Sequence, residues 1–374
     1  MMKAIGIILA GGNSKRMKEL SQYRAIAAMP VAGGYRAIDF ALSSMSNSHI
    51  SRVAVIAQYN SISLNEHLSS SKWWDFGRKQ GGLYVYTPMI TPNNRNWYQG
   101  TADSMHQNIR FLYESHEPYV VIASGDGIYK LDYNKVLEYH IAKRADITVV
   151  CTDNPAGGDR TRFGVLETDE NGRIIEFDEK PMETELNLVS CGIYIIRRRL
   201  LIELLEKCAE EERHDFVQDI LIRYRNTKQI YAYQMEGYWS NIASVEAYYQ
   251  TNMDFLKKEI RDYFFHQEPE IRSKVDDHAP AKYNPGAKVR NSLICSGNII
   301  NGEIENSMLF KKVFVGENCV IRNSIILNDI YIGDNTVIEN CIVESRSNIE
   351  AGSVFKGSPE DIRIVVAKKS EYRV

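Results

Sequence analysis

The chain lacks the features that mark a disulfide-stapled secreted domain, a membrane protein or a polyelectrolyte-binding protein. Its six cysteines are widely separated and none forms a CxxC pair, so we expect free thiols in a reducing cytoplasm. No apolar run approaches the roughly 20 residues that a membrane helix needs, so no membrane partner is expected. The formal net charge is only −3 over 374 residues, and this balance does not indicate nucleic acid as a partner.

The length and the hydrophobic pattern of the chain indicate two domains. A chain of 374 residues is longer than the domains that usually form around one hydrophobic core. The first two-thirds alternate short apolar runs with helical stretches, which predicts a Rossmann-like α/β domain with a mostly parallel sheet. Strands are predicted at 5–9, 53–57, 119–123, 147–151 and 192–196, and helices at 39–46, 102–114, 133–143, 199–208, 216–224 and 245–258. Ligands of such sheets bind at the carboxyl ends of the strands.

A different pattern begins at about residue 283, where short β-branched pieces alternate with Gly and Asn. Apolar residues stand six apart at Val315, Ile321 and Leu327 and, after a one-residue slip, at Ile332 and Ile338. This period indicates a parallel β-helix. The turns of a β-sandwich, the alternative, would come about every 8–12 residues. We therefore predict an α/β domain over 1–256, a charged linker over 257–283, and a β-helix with a terminal cap over 284–374.

A glycine pair follows the first predicted strand. Gly11 and Gly12 precede Lys15 and Arg16. A glycine turn between a strand and a helix lets backbone amides approach phosphate oxygens, which the helix N-terminus also attracts. Strand–Gly–Gly–helix turns are common, so this feature alone is a weak indication of nucleotide binding.

Nine segments together carry a resemblance to a known family. They are LAGGNSKRM at 9–17, GGYRAIDFALSS at 33–44, AQYNSISL at 57–64, WYQGTADS at 97–104, SGDGIYKLDY at 124–133, FDEKP at 177–181, SCGIY at 190–194, HDFVQD at 214–219 and GYWSNIAS at 237–244. In this order, and followed by a β-helix, they resemble bacterial and plant glucose-1-phosphate adenylyltransferase over essentially the whole chain. The resemblance implies a nucleotidyltransferase domain followed by a left-handed β-helix.

The resemblance also implies a reaction, in which a sugar 1-phosphate attacks the α-phosphorus of a nucleoside triphosphate and pyrophosphate leaves. Positioning and charge neutralisation carry such transfers. It implies nucleotide-binding positions at Gly11, Gly12, Lys15, Arg16, Gln58, Gly100, Thr101 and Asp126. It implies sugar-phosphate positions at Glu179, Lys180, Ser190, Gly192 and Asp215. Asp126 and a second aspartate would hold Mg²⁺.

The chain departs from the family where charge matters most. Ile26 stands where the family has a phosphate-binding lysine, and Asn241 stands where it has the second metal-binding aspartate. Ser240 replaces an arginine and Gly127 a histidine. Although Arg16 and Asp126 are retained, we expect no intact catalytic set and a weak or absent Mg²⁺ site at Asp126. No cofactor is expected to bind tightly, and Mg²⁺ would bind only with a nucleotide.

These departures favour a regulatory subunit. They resemble the second, catalytically weak D-type subunit of glycogen biosynthesis that some bacteria carry. We expect assembly with a catalytic subunit into a tetramer, self-association in its absence, and a sugar phosphate as a candidate effector. Two alternatives remain open. One is an active adenylyltransferase with relocated charges, Lys15 substituting for the lysine lost at Ile26. The other is a stand-alone sensor of sugar phosphates or nucleotides.

Overall fold

A computed structural model describes residues 3–12, 14–77, 81–90, 96–153 and 160–367 of the chain. The described residues form two compact units. The first draws on Met1–Asn13, Ala25–Ala27 and Ile38–Asn241, and the second on Ser14–Arg24, Ala28–Ala37 and Ile242–Val374. The predicted division at 256 therefore differs from this grouping, in which two short N-terminal segments join the second unit. Among the described helices, none has the length and apolar character needed to cross a membrane.

The strands before residue 242 are mostly short and apolar. They are β1 (Ala4–Leu9), β2 (Pro30–Val31), β3 (Tyr35–Arg36), β4 (Arg52–Ile56), β5 (Gly82–Tyr86), β6 (Tyr119–Ser124), β7 (Gly127–Tyr129), β8 (Ile147–Thr152), β9 (Gly164–Thr168), β10 (Ile174–Glu179), β11 (Leu188–Arg197), β12 (Ile230–Gln234) and β13 (Trp239–Asn241). All six residues of β8 are buried, as is typical of a strand covered on both faces. The five predicted strands are confirmed as β1, β4, β6, β8 and β11.

Eight α-helices are described, of which the last two belong to the second unit. They are α1 (Ala37–Asn47), α2 (Ile62–Leu68), α3 (Thr101–Gln107), α4 (Arg110–Tyr113), α5 (Tyr133–Ala142), α6 (Arg198–Glu210), α7 (Val245–Asp254) and α8 (Lys258–Arg261). Short 3₁₀ helices span Lys15–Ser21, Ile26–Ala28, Ser71–Trp74 and Arg160–Arg162, and π-helical turns span Val217–Ile222 and Asp262–His266. In α6 the buried residues are Leu201, Leu204, Leu205 and Cys208, the spacing of one helix face.

The sheet of the first unit is mixed, with a parallel centre. β6, β1, β4 and β5 are parallel neighbours in that order, and β8 pairs in parallel with β12. β11 runs antiparallel to β6, β8 and β9, and β10 pairs antiparallel with β9. The prediction of a mostly parallel sheet is confirmed. The antiparallel direction of β11 has no signature in its composition, since buried strands of either direction are apolar.

The second unit contains the β-helix. Its strands are β14 (Lys282–Tyr283), β15 (Lys288–Arg290), β16 (Leu293–Ile294), β17 (Ile299–Ile300), β18 (Glu303–Glu305), β19 (Met308–Leu309), β20 (Val313–Val315), β21 (Val320–Arg322), β22 (Ile325–Ile326), β23 (Ile330–Ile332), β24 (Val337–Glu339), β25 (Cys341–Val343), β26 (Asn348–Ile349), β27 (Val354–Lys356) and β28 (Arg363–Val365). Every third strand pairs in parallel, so three five-stranded sheets form the faces of the predicted left-handed β-helix.

The predicted hexapeptide register corresponds to the interior of the β-helix. Val315 pairs with Ile332, and Ile321 pairs with Ile338, on adjacent coils. All four side chains and that of Leu327 are fully buried. The one-residue slip between Leu327 and Ile332 reflects a shorter step around one corner, and adjacent coils remain stacked in register. β27 and β28 still pair with β24 and β25 although their sequence has lost the repeat, and a terminal cap in this segment stays a prediction.

Asparagines form the corners between the sheets. Asn306, Asn323 and Asn340 have φ values of 47°, 45° and 50°, a left-handed conformation that asparagine tolerates better than most residues. The Asn291 side-chain amide donates to Asn306 Oδ1 at 2.9 Å, and the Asn306 amide donates to Asn323 Oδ1 at 2.6 Å. These bonds connect adjacent coils and satisfy the hydrogen-bonding groups of the asparagine side chains at the corners.

Candidate functional site

A cavity opens at the carboxyl ends of the central strands of the first unit. It has a volume of about 320 Å³, which is within the range of small-molecule sites. β1 and β6 contribute their last residues to it, Leu9 and Ser124. Its lining consists of Leu9, Ala10, Gly12, Ile26, Ala27, Thr101, Ser124, Asp126, Glu179, Lys180, Gly192, Tyr194, Asp215, Phe216 and Val217. This is the edge at which a parallel sheet predicts ligand binding.

A second cavity of about 340 Å³ adjoins the first. The two share Leu9, Gly12, Thr101 and Asp215. Of the predicted site residues, the first cavity contains Gly12, Thr101, Asp126, Glu179, Lys180, Gly192 and Asp215, together with the substituted position Ile26. The second contains Gly11, Gly12, Gln58, Gly100, Thr101 and Asp215. Ser190 is buried two residues before Gly192, and Lys15 and Arg16 lie in a 3₁₀ helix of the second unit.

The glycine turn leaves bare backbone at the junction of the two cavities. The Ala10 amide donates to the Ile56 carbonyl at 2.8 Å, and the Gly125 amide donates to the Leu9 carbonyl at 2.9 Å. A Cβ on Gly12 would meet no described atom within 4 Å. Packing within the protein therefore does not require glycine at this position, whereas close approach of a ligand oxygen to the backbone would.

The strand next to Asp126 carries the side-chain amide of Asn241, at the position where the family has a second carboxylate. The Ser124 hydroxyl donates a short hydrogen bond to Asp126 Oδ1. β13 pairs antiparallel with β7 so that Asn241 stands opposite Gly127, the residue after Asp126. Within the described chain, no group of three or more His, Cys, Asp or Glu side chains is arranged to hold a metal ion. This donor set does not fit a Mg²⁺ ion held by the protein alone, and phosphate oxygens would have to supply further ligands.

The wall of the first cavity is apolar at Ile26 and carries an excess of negative charge. Ile26 is 5% exposed and begins a 3₁₀ turn that extends to Ala28. Among the lining residues the ionisable carboxylates are Asp126, Glu179 and Asp215, against the single ammonium of Lys180. Two negative charges are thus in excess in a cavity whose size suits a phosphorylated ligand. Coulomb repulsion opposes a highly charged anion such as a triphosphate there unless a cation accompanies it.

Lys180 occupies a conformation that non-glycine residues seldom adopt. Its φ is 51°, and its backbone amide donates to the Phe163 carbonyl at 3.0 Å. The left-handed turn comes directly after β10 ends at Glu179, and Lys180 Nζ lies 3.0 Å from Glu179 Oε1. The lysine side chain is 65% exposed, so this ion pair contributes little to stability. Strained backbone of this kind occurs disproportionately at ligand-binding positions.

A bulge in β11 forms the wall beside Lys180. The pairing of β11 with β8 shifts register between Ser190 and Ile193. Gly192 has a φ of 68° and donates its amide to Ser190 Oγ at 3.4 Å, so the position favours glycine. Burial raises the pKa of the nearby Tyr194 hydroxyl, which therefore stays protonated and able to donate.

Asp215 has a structural task in addition to lining both cavities. Its Oδ1 accepts the amides of Val217 at 2.9 Å and Gln218 at 2.8 Å, which caps the π-helical turn that follows. Its Oδ2 accepts the Thr101 hydroxyl at 3.3 Å, and Thr101 Oγ1 in turn accepts the Phe216 amide at 2.8 Å. The pair therefore ties the start of α3 to the π-helical turn and fixes the cavity wall between them.

Gln58 is likewise engaged with the protein. Its Oε1 accepts the Tyr98 amide at 2.7 Å, and its Nε2 donates to the Tyr98 carbonyl at 3.3 Å. The side-chain amide thus pairs with backbone as a neighbouring strand would, and Gln58 positions one wall of the second cavity. Sequence reasoning could assign the glutamine to the site from its motif, but not this pairing with a residue 40 positions away.

Several lining residues were missed by the sequence analysis. Tyr194 and Phe216 line the first cavity, and Tyr98 and Ser104 line the second. All four stand inside the quoted segments SCGIY, HDFVQD and WYQGTADS. The signal was therefore present, but only the folded chain decides which residues of a segment face the cavity.

Comparison with known proteins agrees with this architecture. The family model described as nucleotidyl transferase matches residues 5–258, and the model described as GlmU-like, C-terminal hexapeptide matches residues 279–361. The chain is 40% identical over 325 residues to a glucose-1-phosphate adenylyltransferase of Thermosipho melanesiensis, covering 86% of this chain and 78% of that protein. It is 38% identical over 320 residues to that of Clostridium novyi, covering 85% and 84%, and 37% identical over 322 residues to that of Geobacillus stearothermophilus, covering 85% and 83%. The order of the two domains and the cavity at the carboxyl ends of the central strands agree with the sequence identity, which extends across both domains. The chain therefore belongs to the glucose-1-phosphate adenylyltransferase family.

Proposed function

We propose that this chain is a regulatory, catalytically weak subunit of an adenylyltransferase that makes ADP-glucose from ATP and glucose 1-phosphate. The observation that carries the proposal is the pair of uncharged residues in the first unit. Ile26 forms an apolar part of the cavity wall, and Asn241 stands opposite Gly127, the residue after Asp126. A metal-bound triphosphate would need a cation at the first position and an anion at the second.

The charge of the cavity supports this proposal. Its lining holds three carboxylates and one ammonium, whereas nucleotidyl transfer places additional negative charge on the phosphates in the transition state. Loss of one preorganised charge stabiliser costs roughly 10²–10³ in rate. Two losses in one cooperating site need not multiply, but either is sufficient for a slow enzyme. Mg²⁺ would bind here only together with a nucleotide.

The sugar-phosphate half of the site retains more of its expected groups. Lys180, Ser190 and the bulge at Gly192 are present, and the cavity wall at Asp215 is held by hydrogen bonds to Thr101 and the π-helical turn. We therefore propose that the chain binds a sugar phosphate without Mg²⁺ and catalyses poorly. In a cell, this chain would assemble with a catalytic subunit as a hetero-oligomer, of which a tetramer is the expected form, and raise its activity.

Stimulation requires that the chain bind the active conformation of its partner more tightly than the inactive one. A conformational equilibrium shifts only by this differential affinity. The β-helix is the proposed element of association, because its outer faces carry partly exposed apolar side chains at Ile299 and Tyr331.

Pyrophosphate release from ATP and glucose 1-phosphate tests the proposal directly. The purified chain, its charge-complete catalytic paralogue and a mixture of the two are assayed at equal total subunit concentration. The proposal requires a very low rate for the chain alone and a rate for the mixture above that of the paralogue alone. A rate of about 10 s⁻¹ for the chain alone, ordinary for an enzyme, would establish the active-enzyme alternative. The retained Asp126 and Lys180 favour that alternative.

A further inference from the structure

We infer that β5, an edge strand of the large sheet, pairs antiparallel with β5 of a second copy of this chain, so that the sheets of the two copies become continuous. β5 pairs in parallel with β4 on one side, and no described strand pairs with its other side. An unpaired strand edge is a template for a strand of another chain. The edge lies in the first unit, so this contact is distinct from the proposed association through the β-helix.

β5 lacks the protection that the other terminal strands of the sheet have. Its sequence is GLYVY, without charge or proline. β10, at the opposite end of the sheet, carries the exposed carboxylates Glu176 and Asp178. The free side of β12 is occupied, because the Ala232 amide donates to the Gly172 carbonyl at 2.9 Å. Charge and coverage are two ways in which proteins prevent edge pairing, and β5 has neither among the described residues.

The pairing with β4 decides which backbone groups of β5 are free. The Gly82 amide donates to the Ser51 carbonyl at 2.8 Å, and the Tyr86 carbonyl accepts an amide from the residue after β4 at 2.8 Å. Backbone groups alternate sides along a strand, so the even-numbered residues of β5 bond toward β4. The amides and carbonyls of Leu83 and Val85 therefore point to the open side.

The sequence of β5 is complementary to itself in an antiparallel pairing centred on Tyr84. In this register Leu83 of each copy lies opposite Val85 of the other, and each such pair exchanges two backbone hydrogen bonds. Tyr84 meets Tyr84 of the second copy at a position without backbone hydrogen bonds, where aromatic pairs stabilise a sheet. Gly82 lies opposite Tyr86, so a small residue meets a large one. A twofold axis produces this register and places no like charges opposite each other, which favours a second copy as the partner.

The side chains at this edge are apolar, partly exposed and held in place. Tyr84 is 38% exposed and Val85 is 37% exposed. The rings of Tyr84 and Tyr86 are stacked at 11° with their centres 6.5 Å apart. The Tyr84 ring also lies edge-on to Phe111, 5.9 Å between centres, and the Arg52 guanidinium lies 5.5 Å from its centre. Because these contacts already orient the ring, pairing would cost little further side-chain entropy.

Sedimentation equilibrium of the full chain over a series of concentrations tests the association. A strand pair of five residues buries less than the about 800 Å² per partner of a standard interface, so we expect a weak, reversible dimer. Val85→Pro removes an amide that the pairing requires and spares the bonds to β4, as proline at an edge strand can. Loss of one hydrogen bond from each copy should raise the Kd of the dimer about tenfold or more.

A second variant and two controls keep this test independent of folding. Val85→Lys places an ammonium opposite an apolar residue in both copies and should also raise the Kd about tenfold or more, whether or not Val85→Pro folds. Val85→Thr keeps the amide and the β-branched shape. Ile175→Lys adds the same charge to an exposed residue of the other edge strand, β10, where Ile175 is 50% exposed. Both controls should self-associate like the wild type.

Single cysteine variants test the register. Tyr84→Cys places two thiols opposite each other across the twofold axis, at a Cα separation of about 4.5 Å that a disulfide can bridge. Leu83→Cys is the matched control, because its thiol would lie opposite Val85 of the second copy. The six native cysteines are buried or half-buried, so their background should be low. Mild oxidation with copper phenanthroline should give a covalent dimer for Tyr84→Cys and little for Leu83→Cys.

Four results would overturn the inference. The wild type could remain monomeric at every concentration, or Val85→Lys could associate as tightly as the wild type. Leu83→Cys could cross-link as well as Tyr84→Cys, which would refute the register. Loss of the dimer on Ile299→Lys but not on Val85→Lys would place self-association on the β-helix instead. None of these results depends on catalysis or on stimulation of a partner, so the inference can fail while the proposed regulatory function stands.

Discussion

Restoring the two missing charges should convert this chain into a measurable enzyme. Ile26 and Asn241 are changed to Lys and Asp, singly and together. Ile26→Lys would reduce the excess of negative charge in the first cavity from two to one, since the lining holds three carboxylates and one ammonium. Asn241→Asp acts in the opposite direction and adds a carboxylate opposite Gly127, beside Asp126. Asn241→Asp should therefore help only when Mg²⁺ is present to bridge the two carboxylates and the nucleotide.

The magnitude follows from the cost of losing one charge stabiliser, roughly 10²–10³ in rate. Part of this gain will be lost, because an ammonium introduced at a 5%-exposed position must be desolvated. We therefore expect the double variant to release pyrophosphate at least about tenfold faster than the wild type, with a steeper dependence on Mg²⁺. Ile26→Met is the control, since it lengthens the side chain without adding charge. Equal rates for Ile26→Met and Ile26→Lys, or an unchanged double variant, would show that charge loss is not the cause.

Three further predictions concern binding, stability and assembly. Lys180→Gln should weaken Mg²⁺-free binding of glucose 1-phosphate about tenfold by calorimetry, and tight, Mg²⁺-dependent ATP binding without sugar-phosphate binding would contradict this. Burial lowers the pKa of His140 to about 4 from 6.5, so the unfolded state binds more protons. Stability should therefore fall by up to about 3 kcal/mol between pH 6.5 and 4, and His140→Gln should flatten that slope in urea unfolding; an unchanged slope would refute this origin. Deletion from Pro285 onward should abolish co-elution of the chain with the catalytic paralogue and stimulation of the paralogue's activity. Full stimulation by the truncated chain would show that the interface lies in the α/β unit.

The sequence by itself was sufficient to predict the repetitive part of the fold and to locate the motif segments of the family. The positions of Val315, Ile321, Ile332 and Ile338 predicted the β-helix, because each coil stacks the same kind of residue on the one before. The quoted segments contain most of the residues that line the two cavities, and the identities at Ile26 and Asn241 were visible without any coordinates. Such inferences succeed because they depend on local spacing or on residue identity.

The tertiary structure alone decided what each site residue is free to do. Gln58 is bonded to the Tyr98 backbone, Asp215 caps a helical turn, and Lys180 has a left-handed backbone after β10. It also decided the antiparallel direction of β11 and the inclusion of 14–24 and 28–37 in the second unit. These features arise from contacts between segments that are distant in sequence. Their energies depend on which donors, acceptors and apolar faces meet after folding, and a pattern of neighbours along the chain does not contain that information.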